Sequence, residues 1–148
     1  MRIPDLSSFN PGSEEHRVHN TVAIGWLSST NQFAKQEPSG DLIGHLVRFC
    51  KVKFVPTRGY HECELCQDPL DGPVPMEEGG GLIWLGSAEI RVIGNAKIYA
   101  APDLVYHYVV AHSYKPPDEF TDAVLTGPQP TSPEFQKLLS WYQERQLA

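Results

Sequence analysis

Cysteine is scarce in this sequence. There are three, Cys50, Cys63 and Cys66, and the odd number excludes a fully paired disulfide framework and agrees with a reducing compartment. Long apolar runs are missing too. None approaches the roughly 18 residues that a membrane-spanning helix needs, and the start Met1-Arg2-Ile3-Pro4-Asp5 lacks the apolar stretch of a signal peptide, so a cytoplasmic protein outside the membrane is expected.

Positive charge is also in short supply, with 12 Lys and Arg against 18 Asp and Glu and a formal net charge of −6. Non-specific nucleic-acid binding works by neutralising phosphates with cations, which an acidic chain does poorly. Arg48, Lys51, Lys53 and Arg58 form a local exception, read either as a solvated basic face or as the footprint of a nucleic-acid-binding module. Several catalytic signatures are absent. No Gly-x-Ser-x-Gly elbow or His-Glu-x-x-His helix occurs, and Gly79-Gly80-Gly81 is not followed by the Lys-Ser or Lys-Thr of a phosphate loop.

What is present fits one α+β domain. The chain has 148 residues, 41% of them apolar, and its 13 prolines and 12 glycines are spread along it, which predicts many short elements. Residues 1–20 read as an extended N-terminal arm, and Thr21 to Leu27 as a strand. Ser39 caps a helix whose apolar positions are Leu42, Ile43, Leu46, Val47 and Cys50, with Cys50 packed in the core. The turn-rich stretch after the Cys63–Cys66 knuckle, running to Pro75, reads as an irregular loop.

Leu82 to Leu85 and Ala88 to Ala100 read as strands. A central hairpin turns at Gly94-Asn95, a register that pairs Arg91 with Ile98. Pro102 is placed at the first position of a helix reaching about Ala111. A further helix runs through Phe120, Ala123 and Val124 to a closing Gly127, and a C-terminal helix at 132–146 opens with a capping box from Thr131 to Glu134. The expected fold is thus a small antiparallel sheet with a central hairpin, packed against three to four helices and closed by a zinc clasp.

The clasp is read from spacing. Cys63 and Cys66 stand two residues apart, as in a metal knuckle, and His107 and His112 form a second half-site. His61 makes a fifth candidate for four positions. Cys63, Cys66, His107 and His112 are favoured because a Cys-x-x-Cys turn closes round an ion unaided, and His61 is the reserve. Residues five apart on a regular helix are turned by about 140°, so His107 and His112 converge only if the helix tightens or ends between them. Asp103, one turn before His107, is placed to orient its other ring nitrogen. A redox role for the cysteine pair would require it to open a helix in a βαβ unit, and Asp68-Pro69 follows instead. A nucleobase deaminase would place a Glu two residues after its His, where Cys63 stands.

Asp5-Leu6-Ser7, Gly25-Trp26-Leu27, Arg58-Gly59-Tyr60-His61-Glu62-Cys63 with Cys66, Ala88-Glu89-Ile90-Arg91-Val92, and Tyr99-Ala100-Ala101-Pro102 continuing through His107-Tyr108-Val109, His112 and Pro116 to Phe120 together resemble a family of small uncharacterised bacterial proteins. The resemblance covers residues 5 to about 125, implies no reaction, and leaves the last helix outside. It draws attention to Glu89, Arg91, Tyr99 and Tyr114 as residues lining a small site. Glu89 and Arg91 also fit exposed hairpin positions, and the tyrosines fit the core.

Three functions are consistent with these features. The first is a structural zinc domain acting by protein–protein contact, of the adaptor or toxin-immunity type, with a basic partner. The second is a zinc-dependent hydrolase with an open metal position and Glu62, Glu64 or Glu89 as base. The third is the nucleic-acid-binding module.

Overall fold

The computed structural model describes residues 4–8, 21–28, 32–52, 55–56, 63–66, 74–78, 81–94 and 97–147. In chain order the elements are β1 (Thr21–Ala23), α1 (Gly40–Lys51), β2 (Val55–Pro56), β3 (Val74–Glu78) and β4 (Gly81–Leu85). Then come β5 (Ala88–Ile93), β6 (Ile98–Pro102), α2 (Val105–His112), α3 (Asp118–Thr126) and α4 (Pro133–Leu147). The class is α+β, as expected. No helix among the described residues is long and apolar enough to cross a membrane.

The main sheet has the order β1-β6-β5-β2, and β3-β4 forms a separate pair. β5 and β6 are the central antiparallel hairpin, and β2 joins β5 antiparallel, but β1 runs parallel to β6, so the sheet is mixed and not wholly antiparallel. Its register also differs from the expected two-residue turn. Ile93 pairs with Ile98 and Arg91 with Ala100, while the Gly94 N–H donates to the Lys97 carbonyl at 2.9 Å. The connection is therefore longer by two residues, an even shift that keeps the alternation of the cross-strand pairs.

β6 is buried along its whole length, which suits its central position between β1 and β5. On β5, Ile90 and Val92 are fully buried, as are Leu46 and Phe49 of α1 and Phe120 and Val124 of α3. Each such side chain contributes about 1.5–3 kcal/mol of burial free energy.

The helix starts depend on local chemistry. Ser39 caps α1 as expected, its Oγ accepting the Leu42 N–H at 3.1 Å. The next helix begins later than the sequence suggests, because Pro102 ends β6 and α2 opens only at Val105. A proline has no N–H to donate and a fixed φ, which serves the last residue of a strand as well as the first of a helix. For α4 the cap is Ser132 and not Thr131: its Oγ accepts the Phe135 N–H at 3.1 Å, and Pro133 takes the first helical position. Phe135 and Leu139 are buried, and the Phe135 ring lies 6.5 Å from that of Phe49 on α1.

Residues 74–78, the first two of them within the expected irregular loop, form β3. Met76 pairs with Ile83 of β4 and is buried, so cross-strand pairing outweighs the turn residues around it.

Gly127 closes α3 for a steric reason. Its φ of −81° is open to any residue, but a Cβ there would stand 2.6 Å from the Ala123 carbonyl oxygen and 2.7 Å from that of Ile93. Gly127→Ala should therefore cost about 1–3 kcal/mol through forced backbone displacement. Urea denaturation tests this, with a lowered midpoint expected at an unchanged slope and an unshifted midpoint contradicting it.

Candidate metal centre

Four side chains from two parts of the chain meet at one point. Cys63 and Cys66 come from the turn at 63–66, His107 from the first turn of α2 and His112 from its last residue. Their candidate ligand atoms all lie within 4.8 Å of one another. Cys63 Sγ is 3.4 Å from His112 Nε2, and Cys66 Sγ is 3.3 Å from His107 Nε2 and 3.5 Å from His112 Nε2. A tetrahedral ion with sulfur at about 2.3 Å and nitrogen at about 2.0–2.1 Å holds its S and N donors roughly 3.6 Å apart. The donor set and its spacing fit such an ion, and the four residues could hold a metal.

The histidines converge because the end of α2 is not regular. The Ser113 N–H donates to the Tyr108 carbonyl, an i→i−5 bond where the helix would make i→i−4, and the Tyr114 N–H reaches the same oxygen at 3.1 Å. The extra residue widens the turn and swings His112 round beside His107, with ring centroids 5.1 Å apart at 79°. Ser113, at φ 56° and ψ 28°, then ends the helix. The helix does end at the second histidine, but its last turn loosens where tightening was the other expectation. Residues 34–36 pin this end from outside: Gln36 N–H donates to the Ser113 carbonyl and Lys115 N–H to the Ala34 carbonyl, each at 2.9 Å.

Burial sets the protonation of the site. Cys63 is buried, and loss of water pushes its thiol up to about 11, although the Leu65 amide pulls the other way. His107 is held below the ordinary imidazole value, mainly by burial and then by His112. His112 is lowered by burial and then by the nearby Lys35 cation. Tyr108 is buried beside the cysteines, and burial drives its phenol above the usual range. Neither Tyr108 nor Lys35 was singled out from the sequence. Adjacency to His107 was a signal for Tyr108, whereas nothing local marks Lys35.

The remaining candidates are distributed elsewhere. Asp103 is fully buried and its Oδ1 accepts the Gly86 N–H at 2.7 Å, joining the β4–β5 turn to the approach to α2. Cys50 is buried, as expected, with its Sγ 3.5 Å from the Asp103 carbonyl. Glu89 and Arg91 are not exposed hairpin positions. They form an ion pair at 2.9 Å in which the Arg91 side chain is 1% exposed; burial lowers its proton affinity and Glu89 opposes that.

Tyr99 points at α3, donating to Glu119 Oε1 at 3.0 Å and meeting the Phe120 ring edge-on. Tyr114 donates to Asp5 Oδ2 at 2.6 Å. His61, Glu62, Lys53 and Arg58 lie outside the described residues, while Arg48 and Lys51 are exposed in the last turn of α1.

Fold and site together define an α+β domain carrying a Cys2His2 cluster. The chain belongs to the family described as a domain of unknown function, DUF7919, whose family model matches residues 1–125. That span holds all four candidate ligands and leaves α4 outside. No curated protein and no solved structure matches the chain.

Metal binding has to displace the proton of the Cys63 thiol, whereas the two imidazoles are already neutral at pH 7. Zinc titrated by calorimetry in buffers of differing ionisation enthalpy should release at least one proton per ion at pH 7, with affinity rising as pH rises. Binding without proton release would contradict this account of the site.

Proposed function

We propose that this chain is a small zinc-binding domain in which the ion is structural, and that it acts through contact with another protein, of the adaptor or toxin-immunity type, and not by catalysis. The observation that carries the structural reading is the donor set itself. Two thiols and two imidazoles within 4.8 Å supply four ligands, and a tetrahedral ion so bound keeps no position for water. Sulfur and imidazole in equal number favour zinc over magnesium or calcium, which take oxygen ligands.

The clasp joins the 63–66 turn to the first turn and the last residue of α2, so that binding energy becomes folding energy. Catalysis is the weaker reading, because Glu89, one of the candidate bases, is engaged by Arg91 at 2.9 Å. The net charge of −6 suits a basic partner, and the odd cysteine count suits a cytoplasmic setting.

Freshly purified protein should carry one zinc ion by native mass spectrometry. Cys63→Ser, Cys66→Ser, His107→Ala and His112→Ala should each abolish it, and His61→Ala should retain it. Chelation should lower the melting temperature by about 10 °C. Zinc retained without His107 or His112 but lost without His61 would overturn the closed site in favour of an open one.

A further inference from the structure

The segment at residues 4–8 lies along the free edge of β1. Leu6 N–H donates to the Ala23 carbonyl at 2.7 Å, Ala23 N–H donates to the Ser7 carbonyl at 2.8 Å, and Ser8 bridges Val22. Since β6 occupies the other side of β1, this strap is what covers the outer backbone groups of the sheet there. Hydrophobic burial does little to hold it, for Leu6 is 37% exposed and Pro4 and Ser8 are exposed as well. Leu6 also sits at φ 68°, a conformation that non-glycine residues occupy only where their surroundings impose it.

Asp5 is the anchor. Its Oδ1 accepts the Gly25 N–H at 2.9 Å and its Oδ2 accepts the Tyr114 hydroxyl at 2.6 Å. Gly25 has φ +73°, and a Cβ there would meet Val105 Cγ2 at 3.0 Å, so this turn packs against the start of α2. Tyr114 is buried, with its ring edge-on to Phe33 at 5.9 Å. It follows His112 by two residues, just beyond the widened turn that brings His112 to the cluster. A continuous path therefore runs from His112 through Ser113 and Tyr114 to Asp5 and the strap.

We propose that metal occupancy of the Cys63, Cys66, His107 and His112 cluster governs the seating of residues 4–8, so that the metal-free chain releases the strap and uncovers the edge of β1. The coupling rests on the metal reading above. An ion fixes His112 and with it the helix end that aims the Tyr114 hydroxyl. Without the ion only the backbone bonds from Gln36 to Ser113 and from Lys115 to Ala34 oppose a rewinding to i→i−4 bonding, which turns Tyr114 away from Asp5. The strap then loses the buried Tyr114 hydroxyl as a partner, and Leu6 can leave its strained conformation.

Amide exchange followed by NMR on the full chain tests this, with bound zinc counted by native mass spectrometry in parallel. Stripping zinc should speed exchange at Leu6, Ala23 and Gly25 by roughly tenfold or more, and so should Tyr114→Phe with zinc still bound, while amides of the β5–β6 ladder stay protected. By reciprocity, Asp5→Ala should weaken zinc binding about tenfold, and by more than the remote Gly127→Ala does; this comparison decides the matter even if the stripped chain unfolds as a whole.

Zinc that comes and goes with no change at these amides overturns the coupling and leaves the metal site standing. Equal loss of zinc affinity in Asp5→Ala and Gly127→Ala overturns it too. A chain that binds no zinc overturns the metal reading itself.

Discussion

The carbonyl oxygen of Tyr108 receives two backbone N–H groups, from Ser113 and from Tyr114, and the geometry of the Cys-His cluster follows from that shared acceptor. A carbonyl has two lone pairs and can take both donors. The consequence is a final helical turn that is one residue wider than α-helical. It places His112 beside His107 on the side that faces Cys63 and Cys66, where a regular helix would point the two rings about 140° apart. Two bonds just beyond the helix end, from the Gln36 N–H to the Ser113 carbonyl and from the Lys115 N–H to the Ala34 carbonyl, hold the widened form in place.

The rest of the fold supplies the platform for that turn. β6 carries the chain through the middle of the sheet to Pro102, and Asp103, fully buried, ties the entry of α2 to the β4–β5 turn through Gly86. Beside it on β5, buried Arg91 pairs with partly buried Glu89. Burying two charges costs solvation that their attraction only partly offsets, and removing one partner alone typically costs about 3–5 kcal/mol. The pair is therefore an integral part of the sheet, distinct from the four groups that could hold a metal.

Much of this was legible in local sequence, and the reasons differ by element. Ser39 ahead of a helical apolar pattern identifies α1 because capping and burial are both short-range. The Cys63–Cys66 spacing and the His107–His112 pair identify the cluster because ligand chemistry limits the residue types and distances.

Other features depend on partners distant in sequence. β1 is parallel to β6 across more than 70 residues, β3 is a strand only because β4 pairs with it, and Tyr99 turns to Glu119 on α3. Alternation on β5 could not say which face would be covered, so Arg91 looked as suited to solvent as to the interior. Pro102 fits a strand end and a helix start equally well by its own geometry.

The central claim is that two cysteines and two histidines close round one ion. X-ray absorption at the zinc edge of the zinc-loaded full chain tests it most directly. The account predicts two sulfur scatterers at about 2.3 Å and two imidazole nitrogens at about 2.0–2.1 Å, with no further oxygen shell. A spectrum that requires a light-atom ligand beyond the two imidazoles, or that shows fewer than two sulfurs, would contradict it.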